Sequence, residues 1–101
     1  MIERIWRTAV DSRHAGEYED FARAVSPPMF RQQQGYARVI MGHSGDSCIV
    51  MTLRHSMSDV GALDHLHMYM NTVQQILTKG ILLGEQMTET LEVHTLDVSA
   101  G

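Results

Sequence analysis

The sequence has little of several features that define other classes of protein. It contains one cysteine, Cys48, and two prolines among 101 residues. A single cysteine excludes an internal disulfide, so we expect a cytoplasmic protein without an oxidised scaffold. Glu3, Arg4 and Arg7 also interrupt the first ten residues, where the apolar core of a secretion signal would lie.

Long apolar runs and clusters of basic residues are missing as well. No apolar run approaches the roughly 20 residues that a helix needs to cross a bilayer, so we expect no membrane span. The formal net charge is −4, from 8 Lys and Arg against 12 Asp and Glu. Such a charge repels a phosphate backbone on average, which argues against nucleic acid as a partner.

The composition is that of a folded chain. It is 44% hydrophobic and 20% charged, which separates it from disordered segments. We expect residues 1–101 to form one domain, because a chain of this length rarely holds a second core. A domain this small buries a limited fraction of its surface, so we also expect a homodimer that buries more.

The first third of the chain predicts a strand followed by an amphipathic helix. Residues 2–10 are rich in β-branched and aromatic side chains, and they carry apolar groups on both faces of the predicted strand. From Ala15 onward the apolar residues recur at helical spacing. We expect Pro27 and Pro28 to end or kink this helix, because proline lacks the backbone N–H donor.

A hairpin gives the strongest local signal in the sequence. Residues 36–43 and 47–54 are two apolar-rich runs, and they are joined by Ser-Gly-Asp at positions 44–46. A two-residue turn in that segment would pair Met41 with Val50 on one face of the hairpin.

The rest of the chain predicts a second helix and a final strand. The helix is expected from Ser56 to Lys79, either continuous or broken near His67. Residues 81–84 form an apolar connection, and residues 88–96 alternate as a last strand. The order β-α-β-β-α-β predicts an α+β ferredoxin-like domain, in which a four-stranded antiparallel sheet carries both helices on one face.

Six histidines form the main group of side chains suited to proton transfer. His65 and His67 lie two positions apart, about 200° around a helix, so they cannot chelate one metal on a continuous helix. We expect no metal site. His65 is the first candidate for a catalytic base and His43, on the hairpin, is the second. A structural or surface role is the alternative for each.

Other side chains suit a pocket for a small apolar or aromatic ligand. Tyr69 follows His65 by four residues on the same helical face and is expected to orient a substrate. Trp6, the sole tryptophan, and Phe30 are expected to form apolar walls. Met41 is one of eight methionines, whose flexible thioethers adapt to a ligand. The alternative for these residues is plain core.

Three further residues complete the candidate set. Arg54 ends the third strand: facing the pocket it would bind a phenolate or carboxylate, and at the strand end it would be a solvated surface charge. Val73 lies on the apolar side of the second helix and is a candidate substrate contact. Cys48 is expected to be an inert buried thiol.

Four motifs occur in a characteristic order along nearly the whole chain. They are the first strand Met1–Arg7, the helix pattern Ala15-x-x-Tyr18-x-x-Phe21, the pair Gly35-Tyr36, and Thr52-Leu53 before a serine-initiated helix. In this order they resemble the antibiotic biosynthesis monooxygenase family. The resemblance implies a homodimer whose two sheets form a barrel, with a pocket between sheet and helices in each subunit. It also implies cofactor-independent oxygenation of phenolic or polyketide-like substrates, in which a base removes a proton and the anion reacts with oxygen.

The same family includes a haem-degrading branch and members without an assigned activity. The asparagine, tryptophan and histidine of the haem branch correspond here to Trp6, Leu63 and Val73, so none of them matches. We therefore expect no cofactor. Haem binding through His65 or His67 is an alternative, as are proton-transfer catalysis in the same pocket, of the isomerase or elimination type, and non-catalytic ligand binding.

Overall fold

A computed structural model of the protein describes residues 1–58 and 67–99, and for residues 67–69 it describes the backbone alone. The elements in chain order are β1 Ile2–Val10, a 3₁₀ turn Ser12–His14, α1 Ala15–Arg31, β2 Tyr36–Ser44, β3 Ser47–Arg54, α2 His67–Thr78 and β4 Leu82–Glu92. The sheet order is β2-β3-β1-β4, with every neighbouring pair antiparallel. The predicted ferredoxin-like α+β fold is therefore confirmed.

The strand β1 lies in the centre of the sheet and determines which residues face the helices. Trp6 is paired with Val50 of β3 and Thr88 of β4, and it packs in one buried cluster with Tyr18 of α1 and Ile76 of α2. Because side chains alternate along a strand, the even-numbered residues of β1 face the helices and the odd-numbered ones face away. Both helices therefore cover the same face of the sheet.

The hairpin has the predicted register. Met41 is paired with Val50, and His43 with Cys48. Gly45 has a φ of 58°, a left-handed conformation that glycine adopts without steric cost, which accounts for the turn at this position.

The expected end of α1 at the two prolines is wrong. The helix continues through Pro27 and Pro28 for another turn. The carbonyl groups that lose their N–H partners belong to Arg23 and Ala24, which are exposed, so water can replace the missing donors. Phe30 in the last turn is 4% exposed, and its burial favours continuing the helix past the prolines.

The last strand differs from its prediction at both ends. It was expected from Thr88 to Leu96, whereas β4 runs from Leu82 to Glu92 and thus includes the predicted apolar connection. Gly84 has a φ of 72°, and the register of β4 against β1 shifts nearby. This irregularity breaks the alternation by which a strand is recognised in a sequence, although backbone pairing continues on both sides of it.

The second helix is confirmed over the part that the structure describes. α2 runs from His67 to Thr78, and Gly80, with a φ of 67°, follows its end. The expected helix start at Ser56 borders residues 59–66, which lie outside the described residues. Among the helices of the described ranges, none is long and apolar enough to span a membrane.

The sheet face opposite the helices carries exposed apolar side chains, and we call it the open sheet face. Ile40 of β2 and three residues of β4, Leu83, Met87 and Leu91, point to this side, as their pairing with odd-numbered residues of β1 or with Met51 shows. Their exposed fractions range from 45% to 66%.

Candidate functional site

A cleft lies between the sheet and the two helices, and we call it the apolar cleft. It has about 470 Å³ of empty space, including the part that is open to solvent. Its lining residues come from β1, α1, β3 and α2: Arg4, Trp6, Tyr18, Phe21, Ala22, Ser26, Met29, Phe30, Val50, Thr72, Val73 and Ile76.

The periodicity of the sequence explains how these side chains meet. Tyr18, Ala22 and Ser26 are spaced by four residues and therefore share one side of α1. Trp6 forms the floor from β1, and its indole Nε1 donates a hydrogen bond to Oε1 of Gln86 on β4 at 3.0 Å. This bond satisfies the only polar atom of the ring and fixes its orientation.

Few groups in the apolar cleft are polar. Arg4 of β1 is 6% exposed and carries the charge, while Ser26 and Thr72 supply hydroxyl groups. Burial raises the pKa of Tyr18, and nearby Cys48 contributes in the same direction. Tyr18 therefore stays a neutral phenol at physiological pH and can donate a hydrogen bond to a ligand.

A second cleft lies between α1 and the hairpin, and we call it the hairpin cleft. It has about 640 Å³ of empty space, again including space open to solvent, and is lined by residues such as Glu19, Met41 and His43. His43 Nε2 lies 3.3 Å from Glu19 Oε1. A carboxylate at this distance can accept a hydrogen bond from an imidazole ring and orient it. Tyr18 lines both clefts.

The thiol of Cys48 also lines the hairpin cleft but is poorly suited to nucleophilic chemistry. Cys48 is 5% exposed, and burial raises its pKa, with Glu19 and Asp46 acting in the same direction. The thiol form is less nucleophilic than the thiolate. In the described parts of the chain, no group of three or more His, Cys, Asp or Glu side chains could hold a metal ion.

The structure divides the predicted site residues between the two clefts. Trp6, Phe30 and Val73 line the apolar cleft together. Met41 and His43 line the hairpin cleft instead. The second candidate base is thus separated from the predicted aromatic walls by the part of α1 that carries Tyr18.

Arg54 is completely buried, so the alternative of a solvated surface charge is wrong. Its Nη2 donates a hydrogen bond to Gln33 Oε1 at 2.5 Å, and its guanidinium carbon lies 5.7 Å from the centre of the Phe30 ring. Gln33 in turn donates from Nε2 to the sulfur of Met29 at 2.9 Å. Arg54 is absent from the linings of the apolar cleft and the hairpin cleft, and it lies on the far side of the Phe30 ring.

Two predicted residues cannot be placed in the site. His65, the first candidate base, lies outside the described residues. Tyr69 belongs to α2, but its side chain also lies outside the description. Their roles as base and orienting group stay predictions.

Sequence reasoning missed Arg4 and Gln86 as residues of the site. The signal for Arg4 was present, because it shares the face of Trp6 in an alternating strand. Gln86 had no comparable signal, since it lies within the irregular segment of β4, between Leu83 and Met87, where the pairing with β1 shifts.

Comparison with known proteins supports the fold without adding a close relative. Neither a protein-family model nor a curated protein matches the chain. Among solved structures, a Nitrosomonas europaea protein provisionally assigned as an antibiotic biosynthesis monooxygenase has a TM-score of 0.77 at 11% identity, over 94% of this chain and 100% of the other. A Caulobacter crescentus protein with the same provisional assignment has a TM-score of 0.76 at 14% identity, over 93% of this chain and 90% of the other.

A variant of SnoaB, a cofactor-independent oxygenase from Streptomyces nogalater, is also similar. Its TM-score is 0.70 at 11% identity, and the alignment covers 94% of each chain. At these identities the similarity shows the fold alone. The predicted resemblance to antibiotic biosynthesis monooxygenases is thus confirmed for the architecture.

Proposed function

We propose that the protein is a cofactor-independent monooxygenase that acts on a small aromatic, phenolic or polyketide-like substrate. The observation that carries the proposal is the apolar cleft itself, which is lined by the aromatic side chains of Trp6, Phe21 and Phe30. The similarity of the fold to SnoaB supports the same class of chemistry.

The proposed reaction begins with removal of a proton from a phenol or an activated carbon by a base. The resulting anion is electron-rich and reacts with molecular oxygen directly. For an activated CH₂ group, one oxygen atom forms the product carbonyl, and the other leaves as water with the two hydrogens. An apolar cleft favours this step because it excludes bulk water from the reacting anion.

Histidine is the proposed base, with His65 as the first choice and His43 as the second. The contact between His43 and Glu19 supports a proton-accepting role for the hairpin histidine. Trp6, Phe30 and Val73 are proposed to contact the substrate in the apolar cleft, and Met41 from the hairpin side. Tyr69 is proposed to orient the substrate, whereas we assign Arg54 to support of the Phe30 wall.

The His43–Glu19 pair also favours a second candidate function, a proton-transfer catalyst of the isomerase or elimination type. Such an enzyme needs the base and the cleft but not oxygen. Oxygen uptake separates the two functions, because only the monooxygenase consumes oxygen in proportion to product.

Oxygen consumption with quinol and phenol substrates tests the proposal. We expect His65→Ala to abolish turnover, and His43→Ala to do so instead if the hairpin histidine is the base. His94→Ala is the matched control, since His94 is exposed and its ring Nδ1 lies beside the hydroxyl of Thr95. Unchanged turnover in both single variants and in the double variant would refute His65 and His43 as the base.

The open sheet face supports the proposal of a homodimer. Exposed apolar side chains on one face, such as Met87 at 66% exposure, lower their free energy when a second apolar surface covers them. The helices already cover the other face, so a second copy is proposed to dock its own open sheet face here. The resulting contact would join two sheets, as the family resemblance implies.

A further inference from the structure

The hydroxyl group of Tyr18 is a buried donor that has no partner among the described residues. Tyr18 is 7% exposed, and it lines both the apolar cleft and the hairpin cleft. Its side chain forms no hydrogen bond within residues 1–58 and 67–99. Buried polar groups in proteins are nearly always hydrogen-bonded, so this hydroxyl indicates a partner that enters from a cleft. Burial raises the pKa of Tyr18, which keeps the group in the form that donates.

Cys48 connects the position of this hydroxyl with that of His43. It is the cross-strand partner of His43, so the two side chains lie next to each other on the helix-facing side of the hairpin. Cys48 also packs with Tyr18 in one buried cluster, and, after burial, its thiol is the second cause of the raised pKa of the tyrosine. All three residues line the hairpin cleft. A phenol donor and an imidazole ring therefore face the same cleft.

The His43 ring is arranged to accept a proton. Its Nε2 lies 3.3 Å from Glu19 Oε1, and Glu19 follows Tyr18 on α1. When Nε2 carries the ring hydrogen toward this carboxylate, Nδ1 keeps a free lone pair. The His43 ring has no other hydrogen-bond partner in the described part of the chain. The side chain of His43 is 59% exposed, so the ring can also exchange a bound proton with water. Glu19 is thereby a positioning residue for His43.

We propose that the hairpin cleft is a catalytic site for small carbonyl compounds with a hydrogen on the carbon beside the carbonyl group. His43 is the base, and the Tyr18 hydroxyl is the hydrogen-bond donor to the carbonyl oxygen. Met41 and Ile49, which also line the cleft, contact the apolar part of the substrate. This inference rests on the second candidate function proposed above, proton transfer, and adds to it a substrate class, a separate cleft and a second catalytic residue.

The proposed step is an enolisation that needs no further reactant. The C–H bond beside the carbonyl breaks, and His43 Nδ1 takes the proton. The electron pair of that bond forms the C=C bond of the enolate, and the carbonyl π pair moves onto the oxygen. The developing negative charge strengthens the hydrogen bond from Tyr18, which lowers the barrier. Return of the proton to the same carbon completes an exchange, and its return to another carbon completes an isomerisation.

Hydrogen exchange of a simple ketone measures this step directly. We would incubate 2-indanone in ²H₂O under nitrogen and follow the loss of its CH₂ signals beside the carbonyl by ¹H NMR, with protein and with buffer alone. The variants are His43→Gln, which removes the base, and Tyr18→Phe, which removes only the hydroxyl group. Tyr36→Phe and His94→Gln are the matched controls, since neither residue lines either of the two clefts.

We expect wild type to accelerate the exchange at a rate that saturates with ketone concentration. His43→Gln should lower the rate above background by about 100-fold or more, the usual contribution of a general base. Tyr18→Phe should lower it by about 100-fold, as the loss of one donor to a developing oxyanion does. Both controls should keep the wild-type rate. No acceleration by wild type would overturn the inference, as would a wild-type rate of exchange in either His43→Gln or Tyr18→Phe.

Stability distinguishes a catalytic hydroxyl group from a structural one. Because the Tyr18 hydroxyl has no partner among the described residues, Tyr18→Phe should leave the free energy of unfolding unchanged or raise it. Loss of a structural hydroxyl would lower the stability instead, and the slower exchange would then follow from a disturbed fold. A clear loss of stability in Tyr18→Phe, measured by urea unfolding, would therefore overturn the assignment.

Oxygen consumption separates this inference from the monooxygenase. Exchange under nitrogen that depends on His43 and Tyr18, without oxygen consumption by any substrate, would support the inference and count against the monooxygenase. Oxygen consumption with quinol and phenol substrates, without exchange of the ketone, would overturn the inference and leave the monooxygenase standing. Exchange that survives His43→Gln but is lost in His65→Ala would keep proton transfer as a function and overturn its assignment to the hairpin cleft.

Discussion

The interaction between Arg54 and Gln33 makes a quantitative prediction about stability. Arg54 is completely buried, and Gln33 is 6% exposed and supplies an acceptor for its Nη2. Replacing Gln33 with alanine removes a hydrogen bond to a charged donor, worth about 1.5–3 kcal/mol, while the guanidinium stays buried. It also removes part of a buried side chain, at about 0.8 kcal/mol for each CH₂ group. We therefore expect Gln33→Ala to lower the free energy of unfolding by about 2–4 kcal/mol.

Urea unfolding followed by circular dichroism measures this loss at a fixed protein concentration. The concentration must be fixed because a dimer would gain stability from association. Gln34→Ala is the control, since Gln34 is the next residue, has the same side chain and is exposed. We expect it to change the free energy of unfolding by no more than about 0.5 kcal/mol. Gln33→Glu, which keeps an acceptor for Arg54, should retain more stability than Gln33→Ala. Equal stability of Gln33→Ala and Gln34→Ala would refute the claim that Gln33 stabilises the buried charge.

Three further predictions concern other parts of the molecule. Hydrogen bonds from Arg13 lower the pKa of the Asp11 carboxyl from 3.8 to about 2, so its contribution to stability is present above pH 3.8 and is lost as the pH falls through about 2. As the pH falls from 3.8 to about 2, the free energy of unfolding of wild type should therefore approach that of Asp11→Asn. A difference between the two proteins that stays constant over this pH range would contradict the stabilising role of the Asp11 carboxylate. Cys48 should react with Ellman's reagent slowly in the folded protein and rapidly in urea, because burial raises its pKa; equal rates would show an accessible thiol. Met87→Glu on the open sheet face should convert a dimer into a monomer in light scattering with unchanged circular dichroism, whereas Ala24→Glu on the exposed side of α1 should not; a monomeric wild type would refute the dimer.

Patterns that repeat within a few residues allowed much of the fold to be predicted. The hairpin register followed from a turn signal and two apolar runs, and the pairing of Met41 with Val50 is as expected. The start of β4 at Leu82 was not predictable in the same way, because an irregularity beside Gly84 interrupts the alternation. Strand periodicity reports a regular pleat, so it fails where pairing continues through a bulge.

The candidate site could be predicted only as far as its walls. Trp6, Phe30 and Val73 belong to three different elements. The apolar periodicity of these elements was nevertheless enough to predict that the three side chains line one cleft. His43 was also predicted to belong to the pocket, but it lies in the hairpin cleft. Its position near the end of β2 places it beside Glu19 of α1. Periodicity assigns a side chain to a face, whereas its place along that face depends on tertiary packing.

The length of α1 accounts for the different environments of the two buried arginines. Arg4 and Arg54 are diagonal neighbours on the helix-facing side of the sheet, so strand alternation alone makes them equivalent. A helix that ended at Pro27, one of the two outcomes expected from the sequence, would have placed neither Phe30 nor Gln33 over Arg54. Because α1 continues for another turn, the Phe30 ring and the Gln33 amide enclose that guanidinium, whereas Arg4 lines the cleft. The expected helix end and the alternative of a solvated Arg54 are therefore wrong for one reason: burial of the last turn outweighs the two hydrogen bonds that the prolines remove.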